Sequence, residues 1–75
     1  MPVSIPRTNI GTKTYLSPAF PLINESAFKS LEEAIEECIA EKRFYMVLDL
    51  ELVSLIGSRA LEIIIETNTR LMQGG

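Results

Sequence analysis

From Ala27 to Ile39 the apolar residues Ala27, Phe28, Leu31, Ala34, Ile35, Cys38 and Ile39 return at steps of three and four, the period of one helical face. Glu25, Lys29, Glu32, Glu33, Glu36 and Glu37 fill the opposite face. This pattern constrains the fold more than any other feature, because a helix with one apolar stripe must bury that stripe against another element. Asn24 is placed to cap the helix, since its short side-chain oxygen can accept an N–H that the first turn leaves without a partner. Glu25 meets the positive end of the helix dipole. The spacing predicts an end near Glu41. A chain of 75 residues makes one domain, 1–75, and a domain of this size buries only about 60% of the surface its unfolded chain exposes.

On either side of this helix the signal changes period. Pro2 to Leu16 mixes β-branched residues with turn formers, and Asn9, Ile10 and Gly11 separate two short extended pieces, which predicts a β-hairpin. Ser17, Pro18 and Pro21 then mark a loop. Phe44 to Leu50 is apolar almost without alternation, the pattern of a central strand covered on both faces. Glu51 to Gly57 is a connection, after which Ser58 is expected to cap a second helix running to about Met72. Ala60, Leu61, Ile64, Ile65, Leu71 and Met72 share one arc of that helix, and Arg59, Glu62, Glu66 and Arg70 lie outside it. Glu66 and Arg70 are spaced for an i,i+4 ion pair. Ile63 falls on the polar side, where a large apolar group is otherwise unexplained. Gly74 and Gly75 read as a helix stop. The expected class is α/β: a small mixed β-sheet packed with amphipathic helices, in the order strand-strand-helix-strand-helix.

Composition narrows the function. The chain is 47% hydrophobic and 23% charged, which is globular, and its formal net charge is -3. Its seven basic residues are scattered rather than clustered, which argues against nucleic acid and anionic membrane surfaces as partners. The single cysteine, Cys38, sits on the apolar stripe and reads as a small core residue. Met1 to Ile10 has neither a basic leader nor an apolar run, and no apolar stretch approaches the ~20 residues of a membrane span. A reducing, cytoplasmic location is expected. Histidine is absent, so the commonest general base and metal ligand is missing. Gly11, Thr12, Lys13 and Thr14 lack the glycine spacing of a phosphate-binding loop. No enzyme activity, cofactor or metal is expected. The glutamate run on the first helix reads as a solvated face, with an acidic docking surface as the alternative.

The remaining feature is the run Val47, Leu48, Asp49, Leu50, Glu51, Leu52, Val53, Ser54, Leu55, Ile56, Gly57, Ser58, Arg59, Ala60, Leu61. A strand ends, an apolar loop turns, and a serine stands at a helix start, where free N–H groups and the positive dipole end would stabilise a phosphate. The plainer role for Ser58 is that of an N-cap alone, worth about 1 kcal/mol.

This run resembles the hallmark of the STAS domains, the family of sulfate transporter and anti-sigma factor antagonist domains, which looks like V-L-D-L-S-x-V-x-x-I-D-S-S-G-L. Val47, Leu48, Asp49, Leu50, Val53, Ile56, Ser58 and Leu61 match in register, and Ile23 and Asn24 stand where the family has Leu-Asp before its first long helix. The resemblance implies a protein-interaction switch like an anti-sigma factor antagonist, which binds an anti-sigma factor that is also a serine kinase. Phosphorylation would fall on Ser58, and the partner surface would surround Asn24, Gly57, Ser58, Arg59 and Ile63. The departures are Gly57 for the aspartate, Arg59 for the second serine and Ala60 for the glycine. Gly57 and Ala60 favour the alternative, a STAS module that binds without being phosphorylated within a larger signalling or transport assembly, whereas the retained Ser58 favours the switch. Family members continue through another strand and helix, so the resemblance implies a domain truncated at its C-terminal side. An open apolar strand edge then predicts association, for instance as a homodimer.

Overall fold

The computed structural model describes residues 5–74. Two short strands, β1 (Arg7–Ile10) and β2 (Lys13–Leu16), precede helix α1 (Glu25–Ala40), strand β3 (Tyr45–Leu48) and helix α2 (Ser58–Gly74). The α/β class and the element order are as the sequence predicts. Of the expected hairpin segment Pro2–Leu16, Pro2–Ser4 lie outside the described residues, as does Gly75.

The hairpin turns at Gly11, whose φ of +60° is a conformation that glycine adopts without steric cost. β1 and β2 are antiparallel, with Arg7 opposite Leu16 and Ile10 opposite Lys13. β3 joins β2 in parallel, pairing Tyr45 with Lys13 and Leu48 with Leu16, so the sheet order is β1-β2-β3. Because side chains alternate across a strand, Thr14, Leu16, Met46 and Leu48 share one face. That face packs on Leu31, Ile35 and Cys38 of α1 and on Ala60, Ile63 and Ile64 of α2. The other face carries Ile10, Lys13, Tyr15, Tyr45 and Val47. Lys13 Nζ lies 5.4 Å from the centre of the Tyr45 ring.

Two expectations are corrected here. β3 is neither central nor covered on both faces: it is an edge strand, and Tyr45 on its outer face is 56% exposed. Its unbroken apolar run reflects one half-buried face, Met46 and Leu48, packed against the core, and an outer face on which Val47 is half-buried and Tyr45 exposed. The arc of α2 is also rotated. Ala60 and Ile63 are buried and Ile64, Thr67 and Leu71 half-buried, whereas Leu61, Ile65 and Met72 are exposed. Ile63, expected on the polar side, is a core residue at 5% exposure.

The rotation brings the arginines of α2 onto α1. Arg70 pairs with Glu36 rather than with Glu66, and Arg59 bridges Glu32, Glu62 and Glu66. The expected Glu66–Arg70 pair is thus replaced by contacts between the helices. α1 closes as predicted at Glu41. Lys42 N–H donates to Ile39 O and Arg43 N–H to Cys38 O, a Schellman arrangement that forces Lys42 to a φ of +60°. Arg43 then reaches back over the hairpin, its Nε 2.7 Å from the buried Thr14 hydroxyl oxygen and one terminal nitrogen 2.8 Å from Gly11 O. Cys38 is fully buried, and burial pushes its thiol up, which keeps it protonated and unreactive. No helix among the described residues is long and apolar enough to cross a membrane.

Candidate functional site

The two parallel strands set the position of the site. β2 and β3 end on the same side of the sheet, and the chain leaving each of them runs to the N-terminus of a helix: residues 17–24 to α1 and residues 49–57 to α2. These two segments bind each other. Asp49 N–H donates to Leu16 O, Leu22 N–H to Leu55 O and Gly57 N–H to Leu22 O, with Leu22 and Ile56 forming a parallel bridge. The pairing of β2 with β3 therefore resumes after the loops and delivers both helix starts side by side, at the carboxyl ends of the strands. In open α/β sheets that is where ligands and partners are met.

Asn24 caps α1 as expected, its Oδ1 accepting from Ala27 N–H at 2.9 Å. At α2 the assignment shifts by one residue. Gly57 O accepts from Leu61 N–H at 3.2 Å, which makes Gly57 the cap and Ser58 the first helical residue. The expectation that Ser58 caps α2 is corrected accordingly. Ser58 is exposed, and its hydroxyl makes no hydrogen bond among the described residues. It is thus presented to solvent over N–H groups of the first turn, which have no partner within the helix.

Gly57 has a steric reason to be glycine. A Cβ there would stand 3.3 Å from Leu22 O and 3.6 Å from Ile23 Cα, so the two segments approach too closely for a comfortable side chain. The same closeness sets Ile23 and Asn24 beside Gly57 and Ser58. Exposed apolar groups frame this end: Ile23, Leu52, Leu55 and Leu61 are 49%, 67%, 59% and 48% exposed. The loop between them is held by Asp49, whose Oδ1 accepts from Glu51 N–H at 3.0 Å, and by Val53 N–H on Leu50 O.

Of the residues singled out in the sequence, Asn24, Gly57 and Ser58 come together. Arg59 is adjacent but points to the groove between α1 and α2, where three carboxylates hold it. Ile63 is a core residue, buried on the α1 side of α2 and away from this end. The exposed leucines of the 49–57 loop were missed as site residues. Their signal in the sequence is a run of leucines at 50, 52 and 55 in a segment read as a connection. The glutamate face of α1 is exposed, and Glu32 and Glu36 in it carry the ion pairs to α2. No protein-family model matches the chain, and neither a curated protein nor a solved structure matches it.

Proposed function

We propose that this chain is a protein-interaction switch of the anti-sigma factor antagonist kind, binding an anti-sigma factor that is also a serine kinase and releasing it when Ser58 is phosphorylated. The observation that carries the reading is the placement of Ser58: exposed, first in α2, beside the start of α1, with the exposed apolar residues Ile23, Leu55 and Leu61 on the segments that meet there. Such an apolar frame suits a protein partner, since single large apolar side chains are common on surfaces but a group around one hydroxyl is a contact patch. A phosphate there adds about -1.5 to -2 charge over two positive helix ends, which the fold accommodates. The same charge must be stripped of water when the patch is covered, which the complex does not accommodate. The partner supplies the chemistry, transferring the γ-phosphoryl group of ATP to the Ser58 oxygen with release of ADP. Arg59, next to Ser58 in the chain, is held by Glu32, Glu62 and Glu66. The partner surface comprises Asn24, Gly57 and Ser58 with the apolar frame, and the protein acts in the cytoplasm, where Cys38 stays a free thiol.

A second reading, a binding module that is never phosphorylated, is favoured by Gly57. The family resemblance puts an aspartate at this position, and the contact with Leu22 O leaves little room for one. One experiment separates the two. The serine-kinase anti-sigma factors encoded in the same genome are immobilised in turn, and the binding of the unmodified chain, Ser58→Ala and Ser58→Asp is measured. The switch reading predicts one partner that holds the first two and binds Ser58→Asp at least tenfold more weakly. Equal binding of all three supports the second reading, and no binding to any of them refutes the first.

A further inference from the structure

We propose that the outer edge of β3, together with the exposed stripe of α2 above it, is a self-association surface that takes a second copy of this chain in an antiparallel, two-fold arrangement. This surface does not include Ser58 and is independent of the proposed function.

β3 has β2 on one side and, among the described residues, no strand on the other. Asp49 N–H points to β2, where it meets Leu16 O at 2.8 Å. Successive residues of a strand point their backbone groups to alternate sides, so Val47 also faces β2 while Met46 and Leu48 turn N–H and C=O to the open edge. Above this edge lies the flank of α2 turned away from α1. The opposite flank is fixed by Arg59 and Arg70 on Glu32 and Glu36. The free flank carries Leu61, Ile65, Asn68 and Met72, one per turn, with Ile65 64% and Met72 78% exposed. Between helix and strand, a cleft of about 150 Å³ is lined by Met46, Leu48, Ile64, Asn68 and Leu71 among others.

Three features select a second copy as the occupant. The first is charge. Near a two-fold axis every group meets its own kind, so a self-pairing surface must be neutral there. Met46, Val47, Leu48, Leu61, Ile65, Asn68 and Met72 carry no charge, although the chain as a whole is -3. The second is the strand. An axis through Val47 sets Met46 against Leu48 of the second copy and Leu48 against its Met46, so that every backbone group turned to the open edge is paired. The third is the helix. In antiparallel contact about a point between Glu66 and Thr67, Leu61 meets Met72 and Ile65 meets Asn68. That point lies over β3, because Ile64, Asn68 and Leu71 share the cleft with Met46 and Leu48. One axis thus serves both layers. The β1 edge offers no equivalent, since its Arg7, Thr8 and Asn9 are polar and no apolar helix flank adjoins it.

The contact is small, so a weak dimer is expected. The register makes it testable by cross-linking. Val47 would face Val47 of the second copy as a non-hydrogen-bonded pair with Cα atoms about 4.5 Å apart, inside the ~4.4–6.8 Å window for a disulfide. Tyr45 would stand opposite Asp49, which places the two Tyr45 positions about 13 Å apart. Val47→Cys and Tyr45→Cys are oxidised under identical conditions; Cys38 is fully buried and does not compete. The proposal expects disulfide dimers from the first and not from the second. It also expects concentration-dependent dimerisation of the unmodified chain in sedimentation, weakened more than tenfold by Ile65→Glu, whose exposed position leaves the fold intact. A chain that stays monomeric into the hundred-micromolar range, equal cross-linking at both positions, or a dimer indifferent to Ile65→Glu overturns it. Any of these results leaves the edge to a strand from elsewhere.

Discussion

Replacing Ile63 with alanine tests the rotation of α2, on which both the site and the dimer surface depend. Ile63 is 5% exposed, packed with the core, and lines the α1–α2 groove together with Ile35. The substitution removes an ethyl and a methyl group, and at ~0.8 kcal/mol per buried carbon the transfer loss is about 2.4 kcal/mol. A cavity contribution adds to this. The groove beside Ile63 is open and about 230 Å³ in volume, with the arginine stems of Arg59 and Arg70 on its walls, so neighbouring groups can settle into the space. The total comes to about 3 kcal/mol, within the usual range for such substitutions. A domain of this length has roughly 4–11 kcal/mol of stability in all, so the effect is large, and Tm should fall by about 12–24 °C. Urea unfolding followed by circular dichroism measures it. Ile65→Ala, measured at dilutions where the chain is monomeric, is the control and should stay within about 0.5 kcal/mol. If Ile65→Ala costs more than Ile63→Ala, the helix is rotated as the sequence pattern alone suggested, and the reasoning built on its flanks fails.

Two further predictions rest on local features. Lys42→Gly should stabilise the protein by about 0.5–1 kcal/mol in the same unfolding assay, because Lys42 holds the positive φ that ends α1 and glycine holds it without the side-chain clash. Acid should weaken the fold in a defined way: the hydrogen bond from Arg70 holds the Glu36 carboxyl below its usual range, and that from Arg7 does the same for Glu41. A carboxyl whose value is lowered by folding contributes stability above its unfolded value and loses that contribution as pH falls through the folded one. The loss of stability as pH falls below the ordinary carboxylate range should therefore be shallower in the Glu36→Gln, Glu41→Gln double variant, and an unchanged slope would show that these exposed pairs contribute nothing.

What the sequence made legible follows from how strongly each segment's pattern selects one arrangement. α1 could be read from cap to end because its apolar stripe is narrow and its other face is charged, so one orientation buries it and no other does. The hairpin was legible through Gly11. α2 was legible as a helix but not in its rotation: Leu61, Ile63, Ile64, Ile65, Leu71 and Met72 spread over more than half its circumference, and periodicity cannot choose among neighbouring arcs. The core chose the arc centred on Ala60, Thr67, Ile64 and Leu71, and Arg59 and Arg70 fell against α1 as a result. β3 misled for a related reason, since an unbroken apolar run does not distinguish a strand covered on both faces from an edge strand with an apolar outer face. At the site, Asn24 and Ser58 could be placed at helix starts from residue type alone. Their adjacency could not, because it depends on the Leu22–Ile56 bridge between segments 34 residues apart in number, for which neither loop carries a local signal.

Under the proposed function, Ser58 is the modified residue of a partner switch. The most direct measurement is phosphopeptide mapping of the protein isolated from its native cells, with the unmodified and modified forms compared for co-purifying kinase. The account predicts phosphate on Ser58 and the kinase with the unmodified form only. Phosphate confined to another hydroxyl, such as Ser54 or Thr67, or kinase bound equally to both forms, would contradict it.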